Sequence, residues 1–183
     1  EVRESVNVSG FAGAGFLHTN SAVVDLHNMR LYLRPPGTGR SVKLGPALTA
    51  IGLAEAPITG REHGQFYVDV EINGARGKMI IDTGAGLTHV DNRFAAQMKT
   101  RGFDTGIQIM DAAGVMSDTE LAKVRSFKIG GVPARASNLL LGHISYYGSS
   151  GGKVIGILGM DLLGQNWSII DLGQQKLYFS PAR

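Results

Sequence analysis

Apolar and polar residues alternate most cleanly between Gln65 and Asn73, where Phe66, Val68, Val70 and Ile72 fall on one face and Tyr67, Asp69 and Glu71 on the other. A period of two predicts a half-buried strand. Asn73-Gly74 then signals a hairpin turn, with a few further residues before a second strand from Lys78 to Asp82. Leu87 to Val90 predicts a short strand. Asp91 is placed to cap a helix from Asn92 to about Lys99 that buries Phe94, Ala95 and Met98. Ile107 to Met110 and Val115 to Phe127 flank Asp111-Ala112-Ala113-Gly114 as two arms of a hairpin. Ile129 to Val132 is a turn, Asn138 to Leu141 a buried strand, and Tyr146 to Gly152 a glycine-rich loop before a strand at Val154. Residues 40 to 60 carry little pattern and are expected to be an extended linker.

Composition supports a turn-rich β protein. The 183 residues include 26 glycines, with 43% apolar and only 18% charged residues, so the chain is globular and glycine punctuates short runs. The length suits one domain, or one plus a fragment. A formal charge of +3 is spread without a run or face, which argues against nucleic-acid binding. Cysteine is absent, which removes disulfides, thiolate metal sites and cysteine nucleophiles and is compatible with export. No apolar run approaches the roughly 18 residues that cross a bilayer. Because the chain opens at Glu1 rather than methionine, a leader or a longer upstream segment is expected to have been removed.

The candidate chemistry centres on Met79-Ile80-Ile81-Asp82-Thr83-Gly84-Ala85-Gly86. Three apolar residues feed a carboxylate into a Thr-Gly turn, placing Asp82 at the lip of a core. Gly84 lets the backbone approach, so its N–H can donate to the carboxylate and favour the ionised form. By itself such a tripeptide is an ordinary Asx turn. It is joined here by Val154-Ile155-Gly156-Ile157-Leu158-Gly159-Met160-Asp161-Leu162-Leu163 and by the runs Ser168 to Asp171 and Lys176 to Phe179.

With these parts in order, the stretch from about Gly64 to Pro181 resembles the retropepsin-like aspartic proteases, in particular bacterial members similar to retroviral protease. The resemblance implies an all-β acid-protease fold: a closed, barrel-like unit with one or two short helices over residues 64–183. It implies that Asp82 is catalytic within the turn Thr83, Gly84 and Ala85. Asp111, Ala112, Ala113 and Gly114 become the tip of a flap over substrate. Gly156 and Gly159 permit a close strand crossing beside the turn, and Asp161 caps a short helix. The implied reaction is endopeptidase hydrolysis of a polypeptide, with no metal or other cofactor. A catalytically silent peptide-binding or dimerisation module is the alternative, and the intact Asp-Thr-Gly-Ala argues against it.

An internal repeat adds a second expectation. Gly10 to Leu17 aligns with Gly156 to Leu163 at an offset of 146, and the register holds without a gap. Asn20 falls on Asn166, Val23-Val24-Asp25-Leu26 on Ile169-Ile170-Asp171-Leu172, Leu31-Tyr32-Leu33 on Leu177-Tyr178-Phe179, and Pro35 on Pro181. Residues 1–36 are therefore expected to be the C-terminal part of an earlier copy of the fold, followed by a linker over 37–63. That copy has Gly15 where the later one has Asp161.

Other motifs are weaker. Asp104-Thr105-Gly106 repeats the tripeptide but follows Arg101-Gly102-Phe103 rather than a buried strand, which predicts a loop residue. The five histidines show no ligand spacing, Ser149 and Ser150 lack a Gly-x-Ser-x-Gly context, and Gly84-x-Gly86 is not followed by a third glycine. One aspartate cannot complete the chemistry, because water attack and leaving-group protonation use two carboxylates sharing a proton. A homodimer, with Thr83 bracing the twofold contact, is the expected source of the second acid. Association with an upstream repeat is the other.

Overall fold

The computed structural model describes residues 10–34, 37, 42–62, 64–110, 114, 116–144 and 154–182. The chain opens with helix α1 (Ala14–Thr19) and the strand pair β1 (Val23–Asp25) and β2 (Arg30–Tyr32). Helix α2 (Gly45–Ala50) leads into three long strands, β3 (Ala54–Glu62), β4 (Gln65–Ile72) and β5 (Ala75–Ile81). After β6 (His89–Asp91) come the hairpin β7 (Gly102–Met110) and β8 (Met116–Lys123), the small pair β9 (Phe127–Ile129) and β10 (Val132–Pro133), and β11 (Asn138–Gly142). Strand β12 (Val154–Leu158), helix α3 (Met160–Gln165), β13 (Ile169–Asp171) and β14 (Lys176–Phe179) close the chain.

The strands join in the order β2-β1-β13-β14-β3-β4-β5-β12-β6-β11-β8-β7, with β9 pairing β4 and β10. This is the all-β class expected, with short helices between strands. The alternation in β4 is real: Phe66, Val68, Val70 and Ile72 are buried in the main core with Met79, Ile155, Leu158 and Leu177. Tyr67 on the opposite face meets Ile80 and Ile144 in a smaller cluster. The Asn73-Gly74 turn has φ of 50° and 89°, both left-handed, which the two-residue hairpin with a right-handed twist requires. Its partner strand therefore starts at Ala75, paired with Ile72, and not several residues later.

Two expectations change. The segment assigned to a linker, 37–63, contributes α2 and β3, and β3 lies between β14 and β4 in the sheet. Its inward positions are Ala56 and Ile58, interrupted by Pro57 and Gly60, so hydrophobicity hardly alternates although Ala56 is fully buried. Ala56 has to be small. Gly130, at φ +57°, crosses so close that a Cβ on it would lie 2.6 Å from the Ala56 Cβ. The helix expected over 92–99 is a 3-10 turn at Asn92–Phe94 followed by irregular turns. Asp91 does cap it, accepting the Arg93 N–H at 2.9 Å, and Met98 is buried. A segment this short gains little from continuing a regular helix, so the anchoring side chains decide its path.

Candidate active site

Strand β12 does not pair with a sequence neighbour. It lies between β5, to which it is parallel, and β6, to which it is antiparallel, so it separates the two strands that flank residues 82–88. Those residues loop over the end of β12. The Asp82 N–H donates to the Leu158 carbonyl at 3.1 Å, the Met160 N–H to the Ala85 carbonyl at 2.8 Å, and the Asp161 N–H to the Gly86 carbonyl at 3.2 Å. Within the loop the Gly84 N–H donates to Asp82 Oδ1 at 2.8 Å. Asp82 is half-buried, with Thr83 and Gly84 exposed beside it.

Gly156 and Gly159 are where this crossing is tightest. A Cβ on Gly156 would lie 2.4 Å from the His89 carbonyl oxygen. One on Gly159 would lie 2.7 Å from the Leu87 carbonyl carbon and 2.9 Å from the Ala85 carbonyl oxygen. The neighbours are main chain, which has nowhere to move without carrying the Asp82 loop with it.

Asp161 does more than lie in the first turn of α3, whose N-cap is Gly159. Its Oδ1 accepts the Leu162 N–H at 2.8 Å, the Thr88 N–H at 2.8 Å and the Thr88 hydroxyl at 2.5 Å. Thr88 Oγ1 in turn accepts the Gly159 N–H at 2.9 Å. One buried threonine thus ties α3, β12 and the far end of the Asp82 loop. No pattern in the sequence marks it, since its partners lie 71 and 73 residues away. Thr88→Val keeps the shape and leaves the Gly159 N–H without an acceptor. It should lower stability by about 1–3 kcal/mol, read as a shift in urea midpoint.

Burial lowers the pKa of His89, and this outweighs the Leu87 carbonyl and the negative charges of Asp82 and Asp161, which act to raise it. At neutral pH the ring is therefore uncharged. The folded state binds this proton less readily than the unfolded one, so the His89 contribution to stability is complete above the ordinary histidine pKa, 6.5. It is lost as pH falls below that value.

The second tripeptide makes the same local bond, with the Gly106 N–H donating to Asp104 Oδ1 at 2.9 Å. It sits within strand β7, where pairing with β8 shifts register between Asp104 and Gln108, and not in a loop as expected. Strand β7 is exposed along most of its length and ends the sheet, with β8 its one strand partner among the described residues. Asp104→Asn should change activity by no more than about twofold, as for other exposed substitutions, in a peptidase assay beside the parent.

Of the flap tip, Asp111, Ala112 and Ala113 lie outside the described residues, and Gly114 has φ +81°. The arms are well formed: the Thr119 hydroxyl donates to the Ile107 carbonyl at 2.7 Å and Gln108 Nε2 to Asp118 at 2.7 Å. Ile107, Met110 and Met116 are exposed on this hairpin. A concavity of about 580 Å³ is lined by Asp69, Glu71, Arg76, Lys78 and Phe94 among others, away from Asp82. Among the described residues, no group of three or more His, Asp or Glu side chains is placed to hold a metal ion. No helix of the described residues is long and apolar enough to cross a membrane.

The family model described as aspartyl protease matches residues 68–162. Among solved structures, a retropepsin-like aspartic protease from Rickettsia conorii is similar at 21% identity and TM-score 0.47, covering 70% of this chain and 98% of that one. The EIAV protease complexed with the inhibitor HBY-793 is similar at 22% identity and TM-score 0.45, covering 58% of this chain and 91% of that one. No curated protein matches the chain.

Proposed function

The chain belongs to the aspartyl protease family, and from that footing we propose that it is an aspartic endopeptidase in which Asp82 is one of two carboxylates that activate a water. The observation that carries this reading is the Asp82 loop itself. A half-buried carboxylate is held by the Gly84 N–H, at the end of a buried strand, over a close main-chain crossing that two glycines permit. That is the preorganisation a proton-sharing pair needs, because two carboxyl groups near 3 Å apart cannot both ionise and so divide into an acid and a base. The base takes a proton from the attacking water, and the acid protonates the departing amide nitrogen. Thr83, Gly84 and Ala85 supply the loop that presents the acid.

The second carboxylate belongs to another copy of the same turn, in a dimer partner or in a repeat on the same chain. Hairpin β7–β8 is the flap, and its exposed Ile107, Met110 and Met116 suit the apolar side chains of a bound peptide.

The test is the pH profile of kcat/KM from about pH 3 to 9 on an unfolded protein substrate, with and without a chelator. A shared proton makes only the singly protonated pair competent, so the profile should be bell-shaped below neutrality and indifferent to the chelator. Activity that climbs to a plateau above about pH 8, or that the chelator removes, returns Asp82 to a turn residue. A silent peptide-binding module is the outcome if the assembled protein binds the substrate and never cleaves it.

A further inference from the structure

Residues 13–34 repeat, in three dimensions, what residues 159–180 do. Helices α1 and α3 begin and end 146 residues apart. Val23 pairs with Tyr32 as Ile169 pairs with Tyr178, and Asp25 pairs with Arg30 as Asp171 pairs with Lys176. Left-handed residues recur at the same offset: Ser21 and Trp167 at φ 43° and 51°, Met29 and Gln175 at 52° and 53°. The Asn20 side chain donates to the Phe16 carbonyl at 2.9 Å, and that of Asn166 to the Leu162 carbonyl at 2.8 Å. Two unrelated hairpins of similar composition would not share helix ends, side-chain caps and unusual φ values.

The two elements also meet about a local twofold. Val23 pairs with Asp171, Val24 with Ile170 and Asp25 with Ile169, a register that maps onto itself when each residue is exchanged for its counterpart. The flanking bonds are mates as well: the Leu26 N–H to the Ser168 carbonyl at 3.0 Å and the Leu172 N–H to the Ala22 carbonyl at 2.9 Å. His27 stacks on Trp167 at 4.3 Å, and at the symmetric position Gly173 packs against Ser21.

Their surroundings differ. Leu177, Tyr178 and Phe179 are 0%, 2% and 0% exposed under β3 and the core, whereas Leu31, Tyr32 and Leu33 are 49%, 50% and 45% exposed. Phe16 is 52% exposed where Leu162 is 4%. Strand β14 has β3 on its outer edge, and β2 ends the sheet.

We propose that residues 14–33 are the closing element of a second unit of this fold on the same chain, and that the edge of β2 with Phe16, Leu31, Tyr32 and Leu33 is the surface on which the rest of that unit docks. The offset places the counterpart of β3 before residue 1, and the same register that seats β1 on β13 leaves no free edge there for a homodimer formed through β13. Asp82 then meets its mate within one polypeptide, from a turn about 64 residues before Glu1. That corollary rests on the function proposed above; the docking does not.

Residues 1–183 contain no cysteine, so a thiol introduced at position 32 is read alone there, and in a longer chain its labelling is read on the peptide that carries it. Tyr32→Cys is labelled with a maleimide in this chain and in the same chain extended to its natural start. The thiol should react freely in the first and about tenfold or more slowly in the second, as expected of a buried site. Equal rates overturn the proposal. So does protection in the shorter chain that grows with protein concentration, which would assign the face to a second molecule. Ile170→Cys gives an independent reading, because a homodimer with its twofold at β13 would oxidise to a covalent dimer, and the proposal expects none. Neither measurement uses activity. A protected but inactive chain keeps the docking and removes only the corollary.

Discussion

Asp82→Asn should abolish peptide hydrolysis while leaving the fold intact. The amide keeps the size of the side chain and an oxygen to accept the Gly84 N–H, now at 2.8 Å, so the loop has no reason to rearrange. What disappears is the group that takes and returns a proton, a role worth on the order of 10³ in rate. The purified variant should match the parent in thermal midpoint and lose about that factor in kcat/KM on an unfolded protein substrate. Equal cleavage by the two would sink the aspartic-protease reading outright. A matching loss from Asp104→Asn would instead show that the local turn, and not its buried support, selects the catalytic residue.

Gly159→Ala should cost both stability and rate. The added methyl meets Leu87 and Ala85 main-chain atoms at 2.7 to 2.9 Å, and relief requires the loop to lift off β12. Overpacking of this kind costs about 1–3 kcal/mol, and a displacement of about 1 Å in a catalytic group costs about a hundredfold in rate. Gly164→Ala, in the same helix, is the control: a Cβ there meets nothing within 4 Å. It should raise stability by up to about 1 kcal/mol through the lower chain entropy of the unfolded state. Urea melts and kcat/KM on both variants decide the matter. Opposite signs are expected, and a Gly159→Ala protein as stable and active as the parent would mean that the loop tolerates displacement.

The strand leading into Asp82 was legible because its apolar run ends abruptly in a carboxylate, and the Asn73-Gly74 hairpin because its two left-handed residues have few alternatives. Strand β3 was not, since Ala56 owes its burial to the close approach of Gly130 and carries almost no hydrophobic signal of its own. The two Asp-Thr-Gly tripeptides form the same local hydrogen bond, so local sequence could not separate them; the buried strand before Asp82 could. Thr88 was invisible for a different reason. Its role is defined by Asp161 and Gly159, and only the inserted strand β12 brings those three together. The 146-residue offset was readable because no insertion breaks its register.

The insertion of β12 between β5 and β6 also sets a schedule. The main-chain bonds that tie residues 82–86 to β12 and α3 are made to residues 158, 160 and 161, more than seventy positions later in the chain. On the ribosome, the acid and its turn emerge long before the strand they rest on, and stay unformed until that strand is released and threads between its neighbours. Pairing at such sequence separation is slow. On the function proposed for Asp82, the carboxylate would become competent only after residues 158–161 have been synthesised and packed beneath its loop.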